Sequence, residues 1–432
     1  MGVSIPNEPT AFWSDSSALV SKARVAMIAS SFVRDDGEMM EGGAERHLLH
    51  LAQLASARGA NVAIFQPSDA CWVKEFDGFR VVGMPTTGRN SWRSSSLLAI
   101  NSGATHLYFH YLDKIPIRQF NIPISAATHG VFWDHPYDST AVEWYPHGRL
   151  DRLALPAWRS VQRRIVMTNL ARCTSVLSTD SSFYHVVQSQ VPRLRNRVHM
   201  AFNFTDLTDD DDNNDVYSPD SRAEEIVKIR EARALGRVVI LVPRNLSLVR
   251  GGAWLPRIIE EVTSQLRGDC QFVLTGMAVT VQGRASRYER AFKSALEAMS
   301  NEARSRLTWL NGLPHHMMRT AYRLSDVTLI PTYSHESTSL AAIEAMGSGC
   351  VVVATNVGGL SDVIVNGWTG VLVQPRVEAI NEALVRLARD VSLRERLAAR
   401  GKAEAQGRFT LARWQEQLLP FMEHSGWIPR SE

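Results

Sequence analysis

Lysine is scarce in this chain. Of its 47 basic side chains in 432 residues, only six are lysines, at 22, 74, 114, 228, 293 and 402. Arginine therefore supplies nearly every positive contact. Cysteine is scarcer still, with four residues at 71, 173, 270 and 350 and no C-x-x-C pair. That spacing argues against a zinc site or a disulfide framework and fits a reducing compartment. Net charge is small too, +3 from 47 basic and 44 acidic side chains, so there is no global reason to expect nucleic acid as a partner. No apolar run reaches 18 residues, and the first 24 lack the uninterrupted apolar core of a signal peptide. Integral membrane protein, collagen, coiled coil and disulfide scaffold are excluded. A soluble, cytoplasmic protein is expected.

What is present is ordinary globular composition, 45% hydrophobic and 21% charged, in a chain longer than one core usually supports. Two domains are expected. Arg24 to Ser30 (RVAMIAS) reads as a buried strand, followed by a loop with Gly42-Gly43. In the run AERHLLHLAQLASARG, Leu48, Leu51, Ala52 and Ala55 share one helical face, and Gly59 ends it. Asn61 to Gln66 is then a second strand, with further strands at 106–112, 124–129, 175–179 and 198–202. Apolar strands alternating with helices predict a parallel sheet covered on both faces. The acidic run DLTDDDDNNDVYSPD, 206–220, breaks the pattern. Strands resume at 237–243, 271–276, 327–331, 351–355 and 370–373, with helices near 254–267, 315–325, 339–348 and 377–389. The class is α/β: a loose segment 1–21, Rossmann-like domains 22–205 and 234–408, an acidic linker 206–233 between them, and a tail 409–432. Chemistry is expected in the strand-to-helix loops, lining a cleft where the two domains face each other.

The segment Asp326 to Ile364 (DVTLIPTYSHESTSLAAIEAMGSGCVVVATNVGGLSDVI) carries the most chemistry. It reads as strand, loop, helix, turn, strand and a Gly-Gly loop. Glu336 lies in the first loop and Glu344 eight residues on, inside the helix. Ser337, Thr338 and Ser339, followed by Leu340, occupy the helix N-terminus. Free backbone N–H groups and the positive end of the helix dipole favour phosphate there. Glu344 is placed to accept hydrogen bonds from a ribose diol. One short segment thus offers a phosphate site, a diol acceptor and a loop carboxylate.

This segment resembles glycosyltransferase family 4 of the retaining GT-B enzymes. Glu336 and Glu344 match the family's E-x7-E signature, and the flanking P-x4-E, EAM-x-x-G, VVAT and GGL-x-x-V match as well. The resemblance implies a GT-B fold, with a first domain for the acceptor, a second for the nucleotide sugar and a C-terminal helix, from Phe409, crossing back to the first. It implies that Glu336 faces donor-sugar hydroxyls and Glu344 holds the ribose. Where many members have Gly-Phe-Gly after the first glutamate, this chain has Ser337-Thr338-Ser339, a departure that changes the sugar pocket. VPRNLSLVRGG, 242–252, stands where the family grips the donor diphosphate with Arg and Lys-Gly. Arg244 and Arg250 would take those roles, with arginine replacing lysine and one extra residue between them. Gly42-Gly43-Ala44-Glu45 matches the family's glycine loop, His129-Gly130 a pair whose imidazole reaches the transferred sugar, and Asn203-Phe204-Thr205-Asp206 the end of the first domain. Gly276 and Gly312-Leu313 match loops that flank the nucleotide base.

The implied activity is a retaining, metal-independent transfer of a hexosyl unit from a nucleotide-diphosphate sugar to a glycan, lipid-linked or small-molecule acceptor, in polysaccharide biosynthesis or similar assembly. No cofactor is implied beyond the donor substrate. Glu336 and His129 would position sugar hydroxyls at the catalytic centre. Arg244, Arg250, Gly42, Gly43, Thr338, Ser339 and Leu340 would hold the donor phosphates. Glu344, Gly276 and Leu313 would hold the nucleotide. The alternatives are a sugar-nucleotide epimerase, a sucrose-synthase-like enzyme, and a catalytically degenerate sugar-nucleotide-binding scaffold. Residues 144–200 contain nine Arg, two Asp and no Lys or Glu, a net +7 that leaves −4 for the rest. Peripheral contact with anionic lipid at the inner face of the membrane, and a solvated helix with ordinary pairs, are both open readings of that stretch.

Overall fold

The computed structural model describes residues 23–34, 37–40, 42–85, 91–117, 119–131, 149–205, 223–247, 249–276, 280–281, 284–285, 287–310 and 312–430, with Trp13 and Trp133 besides. Apart from Trp13, the expected loose segment 1–21 lies outside the described residues, and so do the acidic run 206–220 and the two residues after it. Two compact units emerge. One contains the chain up to His129, Ser160–Ala201 and everything from Trp414 onward; the other contains Gly130–Arg159 and Phe202–Arg413.

The first unit is built on an eight-stranded sheet. Its strands are β1 (Arg24–Ile28), β2 (Asn61–Ser68), β3 (Trp72–Phe76), β4 (Phe79–Pro85), β5 (His106–Phe109), β6 (Ile124–Thr128), β7 (Ser175–Ser178) and β8 (Val198–Met200). They lie in the order β3-β4-β2-β1-β5-β6-β7-β8. Every pairing is parallel except β3 with β4. β1 is central because Val25, Ala26, Met27 and Ile28 are fully buried, as a strand covered on both faces must be. The β3–β4 hairpin was not expected from the sequence. It turns on Asp77-Gly78, both with positive φ (49° and 79°), the Asp-Gly signature of a tight hairpin. Opposite Trp72, Gly83 leaves room for the indole: a Cβ there would fall 2.3 Å from it.

Helices α1 (Gly43–Ala57), α2 (Ser91–Asn101) and α4 (Ser181–Gln190) cover this sheet, and α3 (Arg149–Arg172) belongs to the first unit from Ser160 on. On α1 the expected face is the buried one, with Leu48, Leu51, Ala52 and Ala55 at 1% exposure or less. The helix begins at Gly43, so the expected glycine loop shrinks to Gly42 as its N-cap.

The second unit has a six-stranded parallel sheet. Its elements are α5 (Ala223–Ala234), β9 (Val238–Val242), α6 (Leu255–Gln265), β10 (Cys270–Leu274), the small hairpin β11 (Thr280–Val281) and β12 (Arg284–Ala285), α7 (Arg287–Glu297), α8 (Asn301–Ser305), β13 (Leu307–Trp309), α9 (His315–Arg323), β14 (Val327–Ile330), α10 (Leu340–Gly347), β15 (Val351–Thr355), α11 (Leu360–Val363), β16 (Val371–Val373), α12 (Val377–Arg389) and α13 (Val391–Arg408). The strand order is β13-β10-β9-β14-β15-β16. The sequence placed 223–233 in a linker; it is instead helix α5, with Ile226, Ile229 and Ala232 buried in the same apolar cluster as Val239 and Leu241 of β9. Three apolar residues at helical spacing outweigh the charged neighbours that suggested a linker.

A last helix, α14 (Leu411–Ser425), rejoins the first unit from Trp414 on. Trp414, Leu418, Phe421 and Met422 are buried, and Phe421 and Trp427 meet the Tyr108 ring at 6.2 and 5.4 Å. Among the described residues, no helix is long and apolar enough to cross a membrane.

Candidate active site

In the second unit, β9 and β14 are neighbours in parallel register, Val327 opposite Ile240 and Thr328 opposite Leu241. Their carboxyl ends therefore emerge side by side. The chain leaving β9 places Arg244 there, and the chain leaving β14 passes through 331–339 into α10. Arg244 Nη1 donates to Glu336 Oε1 at 3.0 Å and Nη2 to Oε2 at 2.6 Å, a bidentate pair. The Thr332 hydroxyl donates to Oε2 at 3.1 Å. Side-chain exposure is 5% for Arg244 and 12% for Glu336, so little water screens the pair. Burial pushes the Glu336 pKa up; Arg244, Arg250 and the Thr332 hydroxyl outweigh it and hold the carboxyl below its usual range. Arg250 itself is exposed, close enough for its charge to be felt.

Arg244 Nη1 also donates to Ser339 Oγ at 2.9 Å. Ser339 is the N-cap of α10, yet its side chain makes no capping bond to the helix. The first helical bonds there run from Ala342 and Ile343 to the Ser339 carbonyl, which leaves the Leu340 N–H ahead of them. Arg244 Nε is buried and has no hydrogen-bond partner. The arginine thus uses one edge of its guanidinium on Glu336 and keeps a buried donor on the other.

Close backbone packing fixes this arrangement. A Cβ on Gly276, just past β10, would lie 1.6 Å from the Arg244 carbonyl oxygen. On Gly358 (φ +51°) it would lie 2.0 Å from the Glu336 carbonyl oxygen, to which the Gly359 N–H donates at 2.7 Å. Trp309 Nε1 donates to the Gly276 carbonyl, and the Gly312 N–H to that of Thr275, so Gly276 and the buried Leu313 are held together at the ends of β10 and β13.

The remaining expected residues are placed differently. Thr338 is fully buried, and its hydroxyl accepts from the Asn203 N–H at 2.9 Å while Asn203 Nδ2 donates to its carbonyl. Its side chain serves the fold, and Ser339 is the hydroxyl that reaches Arg244. Glu344 is 4% exposed and faces α9, where Tyr322 Oη donates to it and His315 lies alongside.

Gly42, Gly43 and His129 belong to the first unit. His129 ends β6 within a group of three imidazoles, its ring 4.5 Å from His110 and 5.5 Å from His47, with Trp414 edge-on to His47 at 5.3 Å. Burial lowers the His129 pKa to about 4. Burial and the neighbouring imidazoles take His47 and His110 well below the usual value. All three are neutral at pH 7, so His129 offers a hydrogen bond there rather than a charge. Among the described residues no group of three or more His, Cys, Asp or Glu is arranged to hold a metal ion. Within the basic stretch, Arg172 donates to the Pro116 carbonyl and Arg197 to those of Ala171 and Cys173. Part of that charge is internal structure.

Comparison with known proteins meets this geometry at the second unit. Residues 225–404 match the sequence model of the family described as Glycosyl transferases group 1. Over those residues the chain resembles a group 1 glycosyltransferase. Arg244, Arg250, Gly276, Leu313, Glu336 and Glu344 all lie inside it. A D-inositol 3-phosphate glycosyltransferase of Nocardia farcinica (strain IFM 10152) is 38% identical over 123 residues, 28% of this chain and 27% of that protein. The match thus spans about a quarter of that relative's length. An alpha-D-kanosaminyltransferase of Streptomyces kanamyceticus is 26% identical over 203 residues, 46% of this chain and 49% of that one. Among solved structures, the sucrose-phosphate synthase from Thermosynechococcus elongatus aligns with a TM-score of 0.67 at 16% identity, covering 92% of this chain and 97% of its own. Anabaena HepE in complex with UDP-glucose aligns at 0.66 and 15%, covering 91% and 98%. The fold is GT-B.

Within residues 225–404, sequence reasoning passed over Thr332, His315 and Tyr322, and gave Gly358 no role beyond its pattern. Thr332 stands four residues before Glu336, and His315 and Tyr322 stand seven apart on one predicted helix, so spacing held a signal for each.

Two outcomes follow from this geometry. Gly358→Ala places a methyl group against the Glu336 carbonyl in a left-handed conformation, and urea unfolding of the second unit should show a loss on the order of 2–4 kcal/mol. Gly367→Ala, also left-handed (φ +74°) but in open space, should lose only about 1 kcal/mol. The second concerns acid. His47, His110 and His129 are neutral when folded and titrate near 6.5 when unfolded, so the unfolded state binds more protons below that pH. Their contribution is complete above about pH 6.5 and falls away below it, at no more than about 1.4 kcal/mol per pH unit for each ring, for His129 down to about pH 4. Urea midpoints of the first unit between pH 7.5 and 5 should fall less steeply in His47→Phe than in the natural protein.

Proposed function

We propose that the chain is a retaining glycosyltransferase that moves a hexosyl unit from a nucleotide-diphosphate sugar to a hydroxyl acceptor without a metal ion. The observation that carries this reading is the buried Arg244–Glu336 pair with its unpartnered Arg244 Nε at the start of α10. As the bond from anomeric carbon to phosphate breaks, negative charge grows on the departing diphosphate and the sugar becomes oxocarbenium-like. Arg244 Nε–H, the Arg250 guanidinium and the Leu340 N–H are the groups that stabilise that charge. The acceptor oxygen attacks on the face the phosphate leaves, and its proton passes to a phosphate oxygen. Configuration is retained, and no side chain becomes a covalent nucleophile. Glu336, kept ionised by its arginines, accepts hydrogen bonds from donor-sugar hydroxyls. Glu344 accepts the ribose diol, and Gly276 and Leu313 flank the base.

The relatives support the substrate side of this reading. One is named for transfer involving an inositol phosphate and another for kanosaminyl transfer, and HepE was solved with UDP-glucose. We therefore read the acceptor as a small molecule or glycan, with lipid-linked sugars the other class. A nucleotide sugar incubated without acceptor should be hydrolysed slowly, and Glu336→Ala should lower that rate by on the order of 10²–10³-fold. EDTA should leave the rate unchanged, and NMR of the fresh product should show the donor's anomeric configuration. Inversion, or dependence on a divalent ion, would sink the mechanism. Tight nucleotide-sugar binding with no turnover, with or without acceptors, would identify a scaffold instead.

A further inference from the structure

From Trp414 on, helix α14 lies over a seat lined with imidazoles. At its start, Trp414 meets His47 edge-on at 5.3 Å and His50 at 6.4 Å, both from α1. Near its end, the His424 ring lies 4.9 Å from that of His199 on β8, which also faces Phe421 at 6.3 Å. Just past the helix, Gly426 (φ +76°) runs so close to His106 of β5 that a Cβ there would fall 3.0 Å from Nε2. Behind His47 stand His110 and His129, at 5.7 and 5.5 Å. From β7 the Ser175 hydroxyl donates to the Phe421 carbonyl at 3.5 Å. Tyr108 of β5, which meets Phe421 and Trp427, is fully buried and stays a neutral phenol, because burial raises its pKa. Of the acids on α14, Glu416 is exposed and Glu423 partly buried.

The seat is not arranged to carry a proton. Both ring nitrogens of His47 are buried with no hydrogen-bond partner, and so is Nε2 of His199. A neutral imidazole bears that at modest cost, whereas an imidazolium must place two N–H donors and a charge. The charges that act on these rings are those of other imidazoles: His129 and His50 on His47, His129 and His47 on His110, His424 on His199. Like charges in one seat repel, so each proton makes the next harder to place. Burial lowers the His47 pKa well below the usual value, that of His199 to about 4, and that of His106 in the same direction. A ring whose docked pKa lies below its free value of about 6.5 favours docking above that pH and opposes it below.

We propose that α14 is an acid-released helix: its histidine seat keeps it docked at neutral pH, and proton uptake by His47 and His199 frees Trp414 to Trp427 before the sheet beneath opens. The contacts that oppose release, made by Trp414, Leu418, Phe421 and Met422, do not titrate, so the rings set the pH dependence. Pro420 lies inside the helix and has no N–H to return to the Glu416 carbonyl, which weakens the turn between its two ends. β1, by contrast, is paired on both sides, with β2 and β5, and its last four residues are fully buried. The helix therefore opens at lower cost than the sheet.

Hydrogen exchange of the full chain, read by mass spectrometry at about pH 7.5 and 5.5 and corrected for the intrinsic pH dependence of amide exchange, tests this. Each freed ring favours the open state by up to about tenfold over that interval, so His47 and His199 together give up to about 100-fold. Amides from Trp414 to Trp427 should lose protection by about 10- to 100-fold at the lower pH, while those of β1 keep theirs. His47→Phe and His199→Phe each keep an aromatic ring without a titrating nitrogen, and each should cut the loss by up to about tenfold. Equal protection of α14 at the two pH values, parallel loosening of α14 and β1, or full acid sensitivity in both variants would overturn the proposal. If His47→Phe fails to fold, His199→Phe on the edge strand β8 carries the comparison. The contrast between α14 and β1 in the natural protein stands without either variant.

Discussion

Two opposite charges buried at the ends of adjacent strands constrain the second unit. Arg244 and Glu336 are 92 residues apart in sequence and are joined by two hydrogen bonds in a place almost closed to water. Removing either partner would leave an uncompensated charge, which typically costs about 3–5 kcal/mol. The local chain is built to keep them together. β9 and β14 run parallel and adjacent, Thr332 adds a donor, and glycines at 276 and 358 let neighbouring loops close onto the backbone of both residues. The pair is also why Glu336 remains a carboxylate despite its burial.

The same constraint explains how the start of α10 is used. A serine at an N-cap usually spends its oxygen on the helix. Ser339 spends it on Arg244, and the first-turn N–H groups go without that cap. An anion at that terminus meets a helix dipole, an open N–H and the unpartnered edge of an arginine together. One turn further along the same helix, Glu344 is fixed by α9 rather than by the strand loops. The Arg244–Ser339 end of the helix and the Glu344 carboxylate are thus held by different neighbours of one short helix. In the first unit the histidine group has the opposite character, because burial keeps its rings uncharged.

Sequence reading succeeded where burial is complete and failed where pairing is long-range. β1, β9, β14 and β15 were legible because strands covered on both faces must be continuous apolar runs. α1 was legible from its apolar face and Gly59. The β3–β4 hairpin carried an Asp-Gly turn signal but no clean alternation, and so was overlooked. α5 was hidden by charge: half of its residues are charged, and three buried apolar positions, Ile226, Ile229 and Ala232, anchor it. The candidate site was legible as residue types in a pattern, down to Arg244, Glu336 and Glu344. Their partners were not. Nothing in a sequence says that an arginine 92 positions away will take a glutamate bidentately, or that Thr338 will turn inward to Asn203 while Ser339 turns to Arg244. Those outcomes depend on strand order and on which side chains the loops can admit.

The scarcity of lysine acquires a physical meaning here. A lysine is a compact charge whose three donors rotate freely, and paired with a carboxylate it would be largely consumed by it. Arginine divides its donors between two edges of a rigid plane. Arg244 can hold Glu336 through Nη1 and Nη2 and still point Nε–H in a fixed direction, which no lysine at that position could do. Arg250 stands where the resembling family has lysine, and the same reasoning applies in weaker form, because it is exposed and contributes mainly its field at Glu336. A binding loop built from arginine can therefore be stabilised by its own carboxylate and remain competent for phosphate, provided the carboxylate takes only one edge.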